Sequence, residues 1–265
     1  MRLPRAERVA GRLVVLPTCG STNAELRALV AAAAAPGPDA PAQPVPHLTV
    51  LVTDAQTAGR GRLDRKWTTP PGSALAISVL LRELPADPDL WGWLPLAAGA
   101  AMMDAVAAQL PGREVGLKWP NDVLVDGRKI CGILAEVLPE GAVIVGSGVN
   151  TAMTAAELPV PTATSFAVLG AEVDVDVLLA EYLIGLRARI VALSRDGDAV
   201  ASGLYDAIVA RCLTLGRPVQ VSLPDGEVLH GRAVRLETDG RLRIATDDGQ
   251  QRTVASGDVV HARLV

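Results

Sequence analysis

Past Gly216 the chain turns into short runs that alternate apolar and polar residues, at 218–223, 228–236, 241–245 and 252–255. They are separated by Pro-Asp-Gly, Asp-Gly and Asp-Asp-Gly turns, and a last run spans 259–263. Successive side chains of a strand point to opposite faces, so each run has one face to bury, and the glycine turns fold it back on the run before. The pattern predicts five strands in a small β-barrel. The chain is thereby divided into a body, residues 1–214, and an appended domain, residues 215–265. The appended part holds seven arginines against seven acids, a balance unsuited to coating nucleic acid.

In the body, compact β-branched runs predict strands at 13–16, 48–53, 73–82 and 143–149. Residues 117–119 and 123–125 flank a Pro-Asn-Asp break, and Asp126-Gly127 turns the chain into 129–137 as a hairpin. Helices are predicted at 25–35, capped by Ser21, Thr22 or Asn23, and at 90–110, 174–193 and 199–213. The Ala/Pro-rich stretch 35–46 has no periodicity and reads as an exposed loop. Strands and helices interspersed in this way give an α/β body.

Composition removes several classes of function. An apolar fraction of 49% is ample for a core, and a net charge of −4 argues against binding nucleic acid by bulk charge. No run reaches the roughly 18 apolar residues of a membrane helix, and no apolar segment follows Arg2, Arg5, Arg8 and Arg12 as in a signal peptide. Cys19, Cys131 and Cys212 are too scattered for a disulfide framework or a zinc site, and point to a reducing, cytoplasmic setting. Three dispersed histidines, His47, His230 and His261, argue against a histidine metal centre or triad. With aromatics at only 3%, the four tryptophans stand out.

Chemistry is concentrated elsewhere. Asp54–Trp67 follows a buried strand and brings Arg60, Arg62, Arg65 and Lys66 together, with Gly59 and Gly61 letting backbone N–H groups approach a ligand. It has neither the P-loop spacing nor G-x-G-x-x-G. Like charges packed this closely favour a phosphate or carboxylate partner; a solvated basic loop is the plainer reading. Lys118-Trp119-Pro120-Asn121-Asp122 interrupts a strand pair. Asn121 and Asp122 suit a turn or, in a nucleotide site, Mg²⁺, with Lys118 facing phosphate. Lys129 begins Lys-Ile-Cys-Gly-Ile-Leu-Ala-Glu136, where Gly132 marks a close approach. Only three of the 25 basic residues are lysines, at 66, 118 and 129, and all lie in these segments. Gly146-Ser-Gly-Val-Asn150 closes another buried strand.

Gly20-Ser-Thr-Asn23, Gln56-Thr-Ala-Gly-Arg-Gly-Arg62, Lys118-Trp-Pro-Asn-Asp122, Lys129-x-x-Gly-Ile-Leu-Ala-Glu136 and Gly148-Val-Asn150, in that order and spacing, resemble the biotin–protein ligase family. The resemblance extends over essentially the whole chain. It implies a mixed, largely antiparallel sheet with packed helices, of class II synthetase-like type, followed by an SH3-like barrel. It also implies two half-reactions: biotin and ATP, with Mg²⁺, form biotinyl-5′-AMP, and the biotinyl group passes to a lysine of a biotin carboxyl carrier protein of acetyl-CoA or related carboxylases.

By the same resemblance, Ser21, Thr22, Asn23, Gln56, Gly59, Arg60, Gly61, Arg62, Lys129 and Gly132 bind biotin. Arg60, Arg62, Trp67, Lys118, Asn121 and Asn150 bind ATP. Asp122 is a metal ligand, and Lys129, Arg60 and Arg62 are catalytic. Asp64 stands where the family loop has glycine. Too few residues precede the first strand for the helix-turn-helix some members carry, so the expectation is a ligase without a repressor role, binding no nucleic acid or membrane, as a monomer or weak homodimer. The alternatives are a lipoate–protein ligase, which shares the adenylate chemistry, and more distantly a non-catalytic nucleotide- or RNA-binding module.

Overall fold

The computed structural model describes residues 1–34, 43–62, 65–223, 226–255 and 258–261, the last four by backbone only. Most of the expected 35–46 loop, and Asp64, therefore lie outside the described residues. The body is built on seven strands: β1 Arg12–Val15, β2 Thr49–Thr53, β5 Ala74–Leu81, β6 Val115–Lys118, β7 Asp122–Val125, β8 Arg128–Val137 and β9 Val143–Asn150. Their order is β1-β2-β5-β9-β8-β7-β6, with β1 parallel to β2 and every other neighbouring pair antiparallel. This is the mixed, largely antiparallel sheet expected. Two further strands of two residues each, β3 Gly59–Arg60 and β4 Lys66–Trp67, pair as a small ribbon beside it.

Both faces of the sheet are covered, but unequally. Ile77, Val79, Ile133, Val145 and Val149 point to one face and join the main core with α3 Leu94–Gln109 and α4 Val175–Asp196. Each fully buried Val, Leu, Ile or Met side chain there contributes roughly 1.5–3 kcal/mol. Pro88–Gln109 is long and apolar enough to cross a membrane by composition, yet it is mostly buried inside the fold. On the other face, Leu26 and Val30 of α2 Thr22–Ala34 join a smaller cluster with Leu51, Leu80 and Ile144 of the sheet. Beyond α2 that face is open.

Local chemistry explains where elements depart from expectation. The predicted 90–110 helix is a 3-10 turn, Pro88–Trp93, followed by α3. Pro95 lacks an N–H and clashes with the carbonyl four residues back in a helix interior, so the α-helix restarts with Pro95 in its first turn. Of the predicted 199–213 helix only α5 Leu204–Val209 forms, because Arg211 and Leu213 instead bond the backbone of Leu117. A short helix absent from the sequence reading, α1 Pro4–Val9, has the N–H groups of Arg5 and Ala6 satisfied by the Asp176 carboxylate of α4 at 3.0 Å.

The C-terminal strands are β10 Pro218–Ser222, β11 Val228–Leu236, β12 Leu242–Thr246, β13 Gln251–Val254 and β14 Asp258–His261, in the order β13-β12-β11-β10-β14. Among the described residues β13 and β14 do not pair, so this is an open five-stranded sheet rather than the closed barrel expected. Its β11–β12 turn is seated against the body by three ring donors. Tyr205 Oη donates to Leu236 O (3.1 Å), Trp93 Nε1 to Thr238 O (2.8 Å) and Trp119 Nε1 to Gly240 O (3.0 Å).

Candidate active site

The open face of the sheet is lined by the residues that alternate with the core-facing ones. On β5 this is Ala76 (Ser78, on the same face, lies beneath α2), on β9 Gly146, Gly148 and Asn150, and on β8 Gly132, Leu134 and Glu136. Gly132 pairs with Gly148, so the middle of this surface is bare backbone. Small side chains here leave a cavity of about 630 Å³, within the size range of small-molecule sites. The two central glycines are roofed by long side chains. A Cβ on Gly148 would lie 2.8 Å from the Trp67 indole, and one on Gly132 2.9 Å from Lys129 Nζ.

Every site residue expected from the sequence lines this cavity except Gly59. Gly59 stands behind the wall, where a Cβ would meet the Trp67 carbonyl at 2.3 Å and Gln56 Nε2 at 2.4 Å. The ribbon β3–β4 thus needs glycine to bring Trp67 and Gln56 together.

At the α2 end the polar groups hold one another. Thr22 and Asn23 lie in the first helical turn, and their side chains point to the sheet rather than capping α2. Gln56 Oε1 accepts from the Thr22 N–H (2.8 Å), and Thr22 Oγ1 is 3.1 Å from the same oxygen. Ser78, fully buried on β5, sits 2.8 Å from Thr22 Oγ1 and 2.5 Å from Asn23 Oδ1. Asn23 Nδ2 donates to Glu136 Oε2 (2.6 Å), and Arg27 Nη2 meets Glu136 Oε1 at 2.5 Å. A Cβ on Gly146 would come within 2.4 Å of Asn23 Oδ1. Ser78, Arg27 and Glu136 were given no role from sequence. The signal for Ser78 was a hydroxyl in an otherwise apolar strand, and for Glu136 a charge at its strand's pocket-facing register.

At the opposite end charge dominates. Lys129 Nζ lies 2.5 Å from Asp122 Oδ1, and Lys118 Nζ lies 3.9 Å from Asp122 Oδ2. Arg62 Nη1 donates to Asn121 Oδ1 (3.1 Å), while Asn121 Nδ2 donates to Ile133 O (2.7 Å). Asn150 Nδ2 donates to Thr164 O (2.9 Å). Arg60, exposed, and the Gly61 backbone complete this end. Beneath the floor, Cys131 faces the core, where burial pushes its thiol up to about 12 against the counter-pull of Lys129, keeping it protonated at neutral pH. Tyr182, hydrogen-bonded to Ser147 at 3.0 Å, has its phenol raised by burial as well.

A protein-held Mg²⁺ would fall to Asp122 and Asn121. Asp122 is flanked by two ammonium groups, the Asn121 oxygen is engaged by Arg62, and among the described residues no three His, Cys, Asp or Glu side chains converge. A dication brought to that carboxylate meets net positive charge. These residues do not fit a metal held by the protein.

The chain matches the family model described as biotin/lipoate A/B protein ligase over residues 39–150, and that of the biotin protein ligase C-terminal domain over 214–262. It is 39% identical over 255 residues to a biotin–[acetyl-CoA-carboxylase] ligase of Mycobacterium tuberculosis, covering 95% of this chain and 90% of that one. A bifunctional ligase/repressor of Escherichia coli is 29% identical over 74% of this chain and 61% of its own length. The solved biotin protein ligase of Aquifex aeolicus, in complex with biotin and ATP, superposes with a TM-score of 0.75 at 27% identity, over 96% of this chain and all of that one.

Proposed function

Because the chain belongs to the biotin–protein ligase family, we propose that its cavity joins biotin to ATP, with the bicyclic head at the α2 end and the carboxylate at Lys129. The protein is an ATP-dependent ligase. The observation that carries the reading is that one cavity has a rigid hydrogen-bonding end and, opposite it, a cluster of cations.

The donor pattern at the α2 end favours a ureido head group. Gln56 Oε1 is taken up by Thr22, so Gln56 presents its Nε2 donors, while Asn23 has its Nδ2 on Glu136 and keeps acceptor capacity on Oδ1. A donor beside an acceptor complements a ureido group, which offers C=O and N–H. A dithiolane offers neither and would strand both protein groups at a cost of about 1–3 kcal/mol each. This favours biotin over lipoate.

At the other end, a biotin carboxylate oxygen attacks the α-phosphorus of ATP, the bond to the bridging oxygen breaks, and pyrophosphate leaves. Two anions must approach each other, so the chain's contribution is positioning and charge. Lys129 leaves Asp122 to neutralise the attacking carboxylate and the α-phosphate, and Arg60, Arg62 and Lys118 take the remaining phosphate charge. Trp67 and Asn150 bound the nucleotide. Mg²⁺ belongs to this proposal only as a companion of the triphosphate, and no step is assigned to it. In the second half-reaction the amine of a carrier-domain lysine attacks the acyl carbon, AMP departs and the amine loses a proton. The two-part division, a ligase body at 1–214 and an appended sheet at 215–265, is part of the same reading.

The test is ATP–pyrophosphate exchange with biotin or lipoate, followed by label transfer from biotin to a carrier domain. Biotin-dependent exchange and transfer are expected. Exchange with lipoate in preference to biotin, or with neither acid, overturns the assignment.

A further inference from the structure

We propose that Glu136 sets which way the Asn23 amide faces, and so makes the head of the cavity selective for an N–H donor at that position. The proposal rests on the reading of this cavity as the biotin site. Within that site it assigns a positioning role to a side chain that never needs to touch the ligand.

The Glu136 carboxylate, held by Arg27 at 2.5 Å, only accepts hydrogen bonds, so the Asn23 atom 2.6 Å from it must be the NH₂ group. The Asn23 carbonyl oxygen is thereby turned towards Ser78, 2.5 Å away. Ser78 has one proton, and the Asn23 oxygen 2.5 Å away takes it, so the Ser78 oxygen is left as an acceptor towards the Thr22 hydroxyl at 2.8 Å, whose proton has Gln56 Oε1 at 3.1 Å as its other acceptor. The facing of the Asn23 amide and the direction of the Ser78 bond thus follow from one charge.

Two features hold the row in place. Asn23 and Arg27 are one helical turn apart on α2 and grip the two oxygens of the same carboxylate. Gly146 leaves no room behind Asn23, since a Cβ there would overlap its Oδ1 at 2.4 Å. A neutral amide in place of Glu136 would remove the constraint. A glutamine can donate or accept, Asn23 can then turn either way, and the ligand meets an acceptor or a donor with no preference.

Calorimetry on the full chain tests this with two probes, biotin and the cyclic carbamate analogue in which one ureido N–H is replaced by an ether oxygen. The wild type is expected to favour biotin. Glu136→Gln should weaken biotin about tenfold, the scale of a lost bond to a charged group, and should weaken the carbamate far less, so that the preference narrows. Ser78→Ala should weaken biotin a few-fold while keeping the preference, because Glu136 still orients the amide. A purely structural contribution of Glu136 would lower the unliganded melting temperature and leave the ratio of the two affinities alone.

An unchanged ratio in Glu136→Gln overturns the proposal, as does a ratio that collapses in Ser78→Ala but not in Glu136→Gln. Should Glu136→Gln not fold, Glu136→Asp, which withdraws the carboxylate by one methylene, must narrow the preference in the same direction. A wild type that binds no biotin takes down the functional reading itself, a result distinct from an unaltered preference.

Discussion

At the α2 end of the cavity, Thr22, Asn23, Gln56, Ser78 and Glu136 are each held by another part of the protein, mostly in buried hydrogen bonds. At the other end Lys129 rests on Asp122 and Arg62 on Asn121, pairs that a substrate carboxylate or phosphate can replace. The first arrangement is fixed before any ligand arrives and recognises shape and donor pattern. The second exchanges partners, which is what a reaction between two anions requires. Recognition and rate enhancement are therefore expected to separate on mutation.

Lys129→Ala is the hardest test of that separation. Loss of one preorganised charge-stabilising group costs on the order of 10²–10³-fold in rate. Biotin-dependent pyrophosphate exchange should fall by about that factor, with biotin affinity by calorimetry changed far less and the circular dichroism melt preserved. If binding collapses along with rate, the two ends do not divide the work. Next in size is Asn23→Asp, which sets a carboxylate against Glu136. Biotin affinity should drop about 100-fold, as expected when a hydrogen bond to a charged group is replaced by two carboxylates set against each other, while exchange at saturating biotin stays within a few-fold of wild type.

A pair of glycine substitutions compares the stiffness of the two ends. Gly146→Ala drives a methyl into Asn23 Oδ1, an amide fixed on both sides. It should cost about 1–3 kcal/mol in urea unfolding, as overpacking does, and about tenfold in biotin affinity. Gly132→Ala meets only the tip of Lys129, a flexible side chain that can swing aside, so stability should hold and exchange should fall a few-fold. The smallest effect distinguishes the ends by screening. Raising ionic strength from about 0.05 to 0.5 M shortens the Debye length to a few ångströms, so KM for ATP should rise several-fold and KM for biotin less than twofold.

Much of this was legible in the chain because the relevant signals are local. The β-branched runs that became β2, β5 and β9 announce themselves, and the Asp126-Gly127 turn has both residues at positive φ, 48° and 75°, as the dipeptide foretold. The site residues were legible because glycines, lysines and the Pro-Asn-Asp break are rare types gathered in few places. What escaped depends on distant partners. Helix α1 is satisfied by Asp176, some 170 residues away, and the 199–213 helix was cut short by the backbone of Leu117. Ser78, Arg27 and Glu136 belong to the site only because α2, β5 and β8 meet there. Among the described residues the expected barrel does not close, for the same kind of reason: alternation fixes which face a strand buries and leaves open whether the first and last strands in the order pair.

In a chain so poor in rings, two of the four tryptophans and one of the two tyrosines donate to a single turn, Leu236 to Gly240. Pulling the C-terminal sheet away would leave three donors without acceptors in the body, at about 1–3 kcal/mol each. The two parts should consequently lose their structure together, and a calorimetric scan should show one cooperative transition in place of two. Trp119→Phe, which keeps the ring and deletes its N–H, is the substitution that would begin to pull that single peak apart.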